Sequence, residues 1–339
     1  TQSALESLQQ QLETKKHIIT YCLEIDTLIG GGIALGETSE ICGVPGVGKT
    51  QLALQLAVNV QLPCEMDGCG GECLYIDTEG SFMTERLEQV AVAFVRHIHR
   101  MKSNLETKWK NVLEESESES ENYGGEMIAG AEEVEERRAL RESLERKLRA
   151  MSEVSVPGVL QRVKYYRLYN LLEQLAFVQI LDTYVKQNNI KLIVFDSITF
   201  HFRHDQAGFG DNFQRSRLLQ GMGQRMAQIA HENNVAVVYL NQVTTKVEKG
   251  VGGAESTSFL APALGMTWSN ACNNHFFLEF ERGERRLRVN KCKHQKQGSN
   301  VAKFIITADG FRGTNRKTIA HNEGGDGSSS TNTTTAETD

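Results

Sequence analysis

An α/β fold is predicted for this chain of 339 residues: a mostly parallel twisted sheet with helices on both faces and antiparallel strands at its C-terminal end. Three observations predict it. Short β-branched or aromatic runs alternate with longer stretches of helical periodicity, the pattern of βαβ units. Some of these runs are apolar throughout, as in Leu192-Ile193-Val194-Phe195, which suits a strand covered on both faces. Residues 43 to 50 read Gly-Val-Pro-Gly-Val-Gly-Lys-Thr, a glycine-rich turn between a strand-like run and a helix-like one.

In chain order, residues 1–16 are expected to form a short polar linker helix, and a chain that starts at Thr1 is expected to be a piece of a longer protein. Gly30-Gly31-Gly32 reads as a turn before the strand Thr38 to Cys42, and the helix Gln51 to Val60 follows the glycine-rich loop. Strands are then expected at Glu72–Asp77, Lys191–Asp196, Val235–Leu240, His275–Phe280, Arg286–Asn290 and Ala302–Thr307. Helices are expected at Thr84–His99, Leu171–Gln187 and Arg215–Glu232. Residues 17–318 are expected to be one domain, interrupted at about 101–156 by a disordered acidic insertion. Its alternating Glu-Ser stretch at 114–121 cannot bury apolar surface, although 132–150 could form a solvated charged helix. Residues 319–339 are expected to be a disordered tail of Ser, Thr, Gly and Asn.

With 40% hydrophobic residues and four prolines the chain can build a sizeable core. No stretch approaches 18 uninterrupted apolar residues, so no membrane-spanning helix is expected. Seven cysteines, an odd number, point to a reducing compartment, nucleus or cytoplasm. Cys64, Cys69 and Cys73 lie close enough in sequence to raise zinc binding, but their spacings differ from the usual C-x-x-C pairs. The net charge of −6 is unevenly spread: removing the ten glutamates at 114–136 turns it into +4. Positive charge gathers late, at Arg282, Arg285, Arg286, Arg288, Lys291, Lys293 and Lys296, where it would suit a polyanion or form a solvated strand face of alternating charge.

The chemistry centres on the loop of Gly43, Val44, Pro45, Gly46, Val47 and Gly48, with Lys49, Thr50 and Gln51 opening the helix. Successive backbone N–H groups and a helix N-terminus can surround phosphates, Lys49 can reach the β/γ-phosphates, and Thr50 can ligate Mg²⁺, which makes ATP the expected ligand. Asp196 ends an apolar strand, at the edge where open α/β sheets bind ligands, and is expected to hold the metal. A second strand ends in Asp77-Thr78-Glu79-Gly80; Glu79, beyond the strand end, is preferred to Asp77 as the residue that orients or deprotonates the attacking water. A third strand ends in Asn241-Gln242 and runs into a loop rich in Gly, Thr and Ser; Gln242 is expected to sense the γ-phosphate and switch that loop.

Together these residues resemble the RecA-type strand-exchange ATPases, in particular the eukaryotic recombinase branch and its paralogues. The carriers are Ile-Ile-Thr at 18–20, Gly-Gly-Gly-Ile at 30–33, Glu40 to Gln51, Ile-Asp-Thr-Glu-Gly-Ser-Phe at 76–82, Glu-Arg-Leu at 85–87 and Asn-Gln-Val at 241–243. The resemblance implies a RecA-like nucleotide-hydrolysing core, slow DNA-dependent ATP hydrolysis with Mg²⁺, single-stranded DNA and other recombinase paralogues as partners, homologous recombination repair as the process and the nucleus as the place. Lys49, Thr50, Glu79, Asp196 and Gln242 take the roles given above, and Arg86 lies near the adenine. Residues 203–214 and 243–262 would face DNA, with Arg203, Arg215, Lys246 and Lys249 touching phosphates; His201 and His204 are expected to be solvated. Lys291 to Gln297 holds neither Asp nor Pro, where filament-forming members resemble one another in an Asp-Pro segment, so a complete homofilament interface is not expected. The alternative is an assembly subunit in which ATP is structural glue.

Overall fold

Alternate residues of the central strands enter different cores. In β4 (Glu72–Asp77), Cys73 and Tyr75 join one buried cluster while Leu74 and Ile76 join the other. The strand β6 (Ile190–Asp196) divides likewise, with Leu192 and Val194 on one side and Ile193 and Phe195 on the other. In β7 (Ala236–Asn241), Val238 and Leu240 oppose Val237 and Tyr239. Successive strand side chains point to opposite faces, so both faces must be covered, and each fully buried Val, Leu or Ile contributes about 2 kcal/mol. The computed structural model describes residues 3, 16–122, 131–204, 212–248, 257–295 and 300–314.

Within those residues the main sheet has nine strands. A parallel block runs from β10 (Asn274–Glu281) through β3 (Thr38–Gly43), β7, β6 and β4 to an edge strand, β5 (Val163–Arg167). Beyond β10, the strands β11 (Glu284–Lys291), β12 (Val301–Thr307) and β13 (Gly310–Gly313) add antiparallel. The sheet is therefore the mostly parallel, C-terminally antiparallel one expected. A small pair, β1 (His17–Ile18) with β2 (Ile33–Ala34), lies before it. There Gly32 has φ +124°, and a Cβ at this residue would lie 2.4 Å from the Ile18 carbonyl oxygen, so only glycine fits the turn.

One face is covered by α2 (Lys49–Asn59) and by the long α3 (Thr84–Asn122), which buries Leu87, Val90, Ala91, Phe94 and Ile98 at helical spacing. The other is covered by α6 (Leu171–Gln187), α8 (Asn212–Asn233) and the short α9 (Gly265–Ala271), through Leu181, Met226 and Trp268 among others. The start of α6 is set locally: Asn170 accepts a hydrogen bond from the Glu173 N–H at 2.8 Å, and the Glu173 carboxylate accepts from the Tyr169 N–H. The remaining helices are α1 (Leu23–Leu28), α4 (Ala131–Glu153), α5 (Val156–Gln161) and α7 (Phe200–His204).

The expectation of a disordered insertion at 101–156 is corrected where the residues are described. α3 runs on to Asn122, 23 residues past its expected end at His99, and α4 occupies 131–153. Leu105 and Met151 pack against the first core and tie the bases of both helices to it. Further out, Arg138 with Glu142 and Arg141 with Glu145 form i,i+4 ion pairs, so the charged composition here supports a solvated helix. A second correction concerns 243–262, read as a loop. Its described residues form an antiparallel ribbon, β8 (Val243–Glu248) with β9 (Thr257–Pro262). The expected helix at 1–16 (apart from Ser3 and Lys16), Lys249, most of the first segment expected to face DNA (205–211) and the expected tail lie outside the described residues. No described helix is long and apolar enough to cross a membrane.

Candidate nucleotide-binding site

Parallel pairing of β3, β7, β6 and β4 brings their carboxyl ends to one edge, and the residues just past those ends line a cavity of about 440 Å³. Lys49, Thr50, Glu79, Asp196 and Gln242 all line it, with Pro45, Gly46, Gly48, Gln51, Ser81, Ser197, Arg285 and Ile306. The five residues expected to act together thus meet, although up to 193 positions separate them in sequence.

The loop owes its path to glycine. Gly46 and Gly48 have φ of +78° and +121°, and a Cβ on Gly48 would lie 2.6 Å from Ile306 Cδ1. A Cβ on Gly43 would lie 2.6 Å from the Leu278 carbonyl oxygen. Lys49 Nζ donates to the Gly43 and Val44 carbonyl oxygens at 2.7 and 3.1 Å. Burial lowers the Lys49 pKa, and the nearby carboxylates of Asp196 and Glu79 act against that.

Asp196 is nearly inaccessible, and its Oδ2 accepts from Tyr75 at 2.7 Å, Thr50 at 2.9 Å and Ser81 at 3.3 Å. Burial raises its pKa against the lowering effect of the Tyr75 and Thr50 hydroxyls, and the Glu79 and Asp77 carboxylates raise it further. A hydroxyl beside a carboxylate is a hard-oxygen donor pair of the kind Mg²⁺ takes together with phosphate oxygens and water. The loop and this pair fit a magnesium nucleotide.

The structure separates the two acids after β4. Asp77 is fully buried, and its carboxylate accepts from the N–H groups of Glu79, Gly80, Ser81 and Phe82 at 2.7–3.3 Å, from Arg167 at 3.0 Å and from Tyr165 at 3.2 Å. Its acceptor capacity is used to hold the turn. Glu79 instead faces the cavity, where it accepts from the Ser197 hydroxyl and, at 2.8 Å, from the Gln242 amide.

Other expected site residues are spread more widely. Arg86 does not line the cavity; its guanidinium donates to Gln51, Gln89 and the carbonyl oxygens of Thr307 and Ala308 at 2.7–2.8 Å, tying α3 to the end of β12. Arg203 is exposed and donates to Gln242 at 2.8 Å. Arg215 sits in α8 with a buried Nε that has no hydrogen-bond partner among the described residues, and Lys246 is in β8. His201 is buried, with Nε2 3.0 Å from the Leu168 carbonyl oxygen, which corrects the expectation that it is solvated; nothing is said of the His204 side chain, which lies outside the described residues. Cys73 is buried in β4, Cys69 Sγ is 3.6 Å from the His17 carbonyl oxygen and Cys64 is exposed. Among the described residues no three His, Cys, Asp or Glu side chains come together to hold a metal ion. The late basic cluster is partly paired internally, Arg286 with Glu281 and Glu284, and Arg288 with Glu279.

A mostly parallel sheet with a glycine-rich phosphate loop after one strand and polar residues after its neighbours defines a RecA-like nucleotide-binding core. The chain matches the Rad51 family model over residues 13–117 and 142–314, and it belongs to that family. It is similar to the DNA repair protein RAD51 homolog 3 of Cricetulus griseus, with 35% identity over 91% of this chain and 72% of that one. The protein of the same name from Dictyostelium discoideum is 34% identical over 91% of this chain and 69% of its own length. The DNA repair and recombination protein RadA of Aeropyrum pernix is 30% identical over 88% and 73%.

Proposed function

We propose that this protein is an ATP-binding, slowly ATP-hydrolysing recombinase paralogue that acts on single-stranded DNA, with other paralogue subunits, in homologous recombination and double-strand-break repair in the nucleus. The observation that carries the reading is the convergence of Lys49, Thr50, Glu79, Asp196 and Gln242 on one cavity beside a glycine-rich loop. The relatives named for DNA repair and recombination support the process.

In this reading ATP supplies the bond to be broken and Mg²⁺ screens its phosphate charge. The backbone N–H groups of 43–50 and Lys49 hold the phosphates, and Thr50 and Asp196 hold the metal. Glu79, a carboxylate in the cavity, orients water and accepts its proton. Gln242 reports the state of that carboxylate to Arg203, at the start of the DNA-facing segment. Arg86, the proposed neighbour of the adenine, holds Gln51, which lines the cavity. Arg203, Arg215, Lys246 and Lys249 are the proposed phosphate contacts for DNA.

Nucleotide binding and ATP turnover by the chain, with and without single-stranded DNA, test this reading. Wild type should bind ATP in a Mg²⁺-dependent way and Lys49→Ala should not; equal binding by the two would sink it.

A further inference from the structure

We propose that Arg285 is a phosphate-binding residue of the same nucleotide site, a second cation reaching the triphosphate from the antiparallel strands of its own chain. The assignment rests on the ATP reading above and adds a residue that the phosphate-loop motif does not contain.

Arg285 belongs to β11, where side chains alternate between faces. Leu287 and Val289 share its face and are buried in the core that also holds Val47 and Leu52 of the phosphate loop and its helix. Arg286 and Arg288 point the other way, and each meets a carboxylate, Arg286 at Glu281 and Glu284 and Arg288 at Glu279. Among the described residues Arg285 has no such partner. Its guanidinium lies 4.9 Å over the ring of Phe280, and its Nε, like that of Arg286, is buried without a hydrogen-bond partner among the described residues. A buried N–H on a charged group is seldom left unpaired, and Arg285 is the arginine of this strand that lines the cavity, together with Lys49, Gly46 and Ile306.

Its position follows from the sheet. Arg285 pairs with Phe304 in β12, and a Cβ at Gly48 would lie 3.6 Å from Phe304 Cε2, so the strand pair packs directly on the loop. The charge of the cavity needs it. Among its described lining residues Glu79 and Asp196 are acidic, and Lys49 and Arg285 are the cations. A planar guanidinium with several fixed donors suits phosphate oxygens better than a further lysine.

The test measures binding of a fluorescent ATP analogue to the whole chain for wild type, Lys49→Ala, Arg285→Gln, Arg285→Lys and Phe280→Ala, each with its melting temperature without nucleotide. Arg285→Gln keeps the stem and removes the charge; it should weaken ATP binding on the order of tenfold to a hundredfold. Arg285→Lys should recover part of the loss, while Phe280→Ala, which removes the ring beneath the guanidinium, should bind ATP like wild type. Wild-type affinity in Arg285→Gln, with Lys49→Ala inactive in binding, overturns the Arg285 assignment alone. So does an equal loss in Phe280→Ala, because Arg285 would then act through packing. A wild-type chain that binds no ATP overturns the site reading, and this assignment with it.

Discussion

The side-chain amide of Gln242 donates to Glu79 Oε1 at 2.8 Å, joining the ends of β7 and β4 across the carboxyl edge of the sheet. The oxygen of the same amide accepts from Arg203 at 2.8 Å. One orientation satisfies both neighbours, because the NH₂ group must face the carboxylate and the oxygen must face the guanidinium. Gln242 thus bridges Glu79 and Arg203 through one planar group.

If that relay couples the nucleotide to DNA, Gln242→Ala and Arg203→Ala should be non-additive. A double-mutant cycle on single-stranded-DNA affinity with ATP bound should give an interaction energy of about 1 kcal/mol. Additive losses would show that the two residues contact DNA or nucleotide independently.

Glu79→Gln should retain ATP binding and lose turnover by on the order of a hundredfold or more. The amide keeps the shape but cannot take a proton. Repair and partner binding that survive this loss would favour the reading in which ATP serves only as glue between subunits.

Asp77→Ala should behave differently from any change at Glu79. It leaves the N–H groups of Glu79, Gly80, Ser81 and Phe82 and the Arg167 guanidinium without their acceptor. A loss of about 3 kcal/mol in unfolding free energy is expected from denaturant titration. Stability equal to that of Glu79→Gln would remove the distinction drawn between the two acids.

Asp26 introduces a pH dependence of stability. Burial pushes its carboxyl up to about 7, against hydrogen bonds from the Thr20 N–H. The unfolded carboxyl titrates near pH 4, about its ordinary value, so between the two the folded chain binds more protons than the unfolded one. Its contribution is full below pH 4 and is lost as pH rises through about 7. Asp26→Asn should flatten this part of the melting-temperature profile and raise stability at pH 8. An unchanged profile would refute the assignment.

Much of the fold is legible in the sequence. The runs at Glu72–Asp77 and Leu171–Gln187 coincide with β4 and α6 to the residue. They are locally determined, by an apolar run in the first case and by Asn170 and Glu173 at the helix start in the second. The edge strand β5 was not expected, although Val163, Tyr165 and Tyr166 carry strand propensity. As an edge strand it presents side chains that lack the continuous apolar signature of β6. α3 outran its expected end because ion pairs and a few anchors such as Leu105 sustain a helix that composition alone reads as disorder.

The sequence by itself determined the phosphate loop, the acids at two strand ends and the parallel sheet behind them. These depend on glycine backbone freedom and on short apolar periods, which are written in consecutive residues. Only the tertiary structure decided that Asp77 is spent on holding the turn, that Gln242 joins Glu79 to Arg203, and that Arg285 lines the cavity while Arg286 pairs with Glu281 and Glu284. Those relationships depend on sheet order and strand register between segments far apart in the chain. Sheet order and register are set by packing between segments, and no local pattern encodes them.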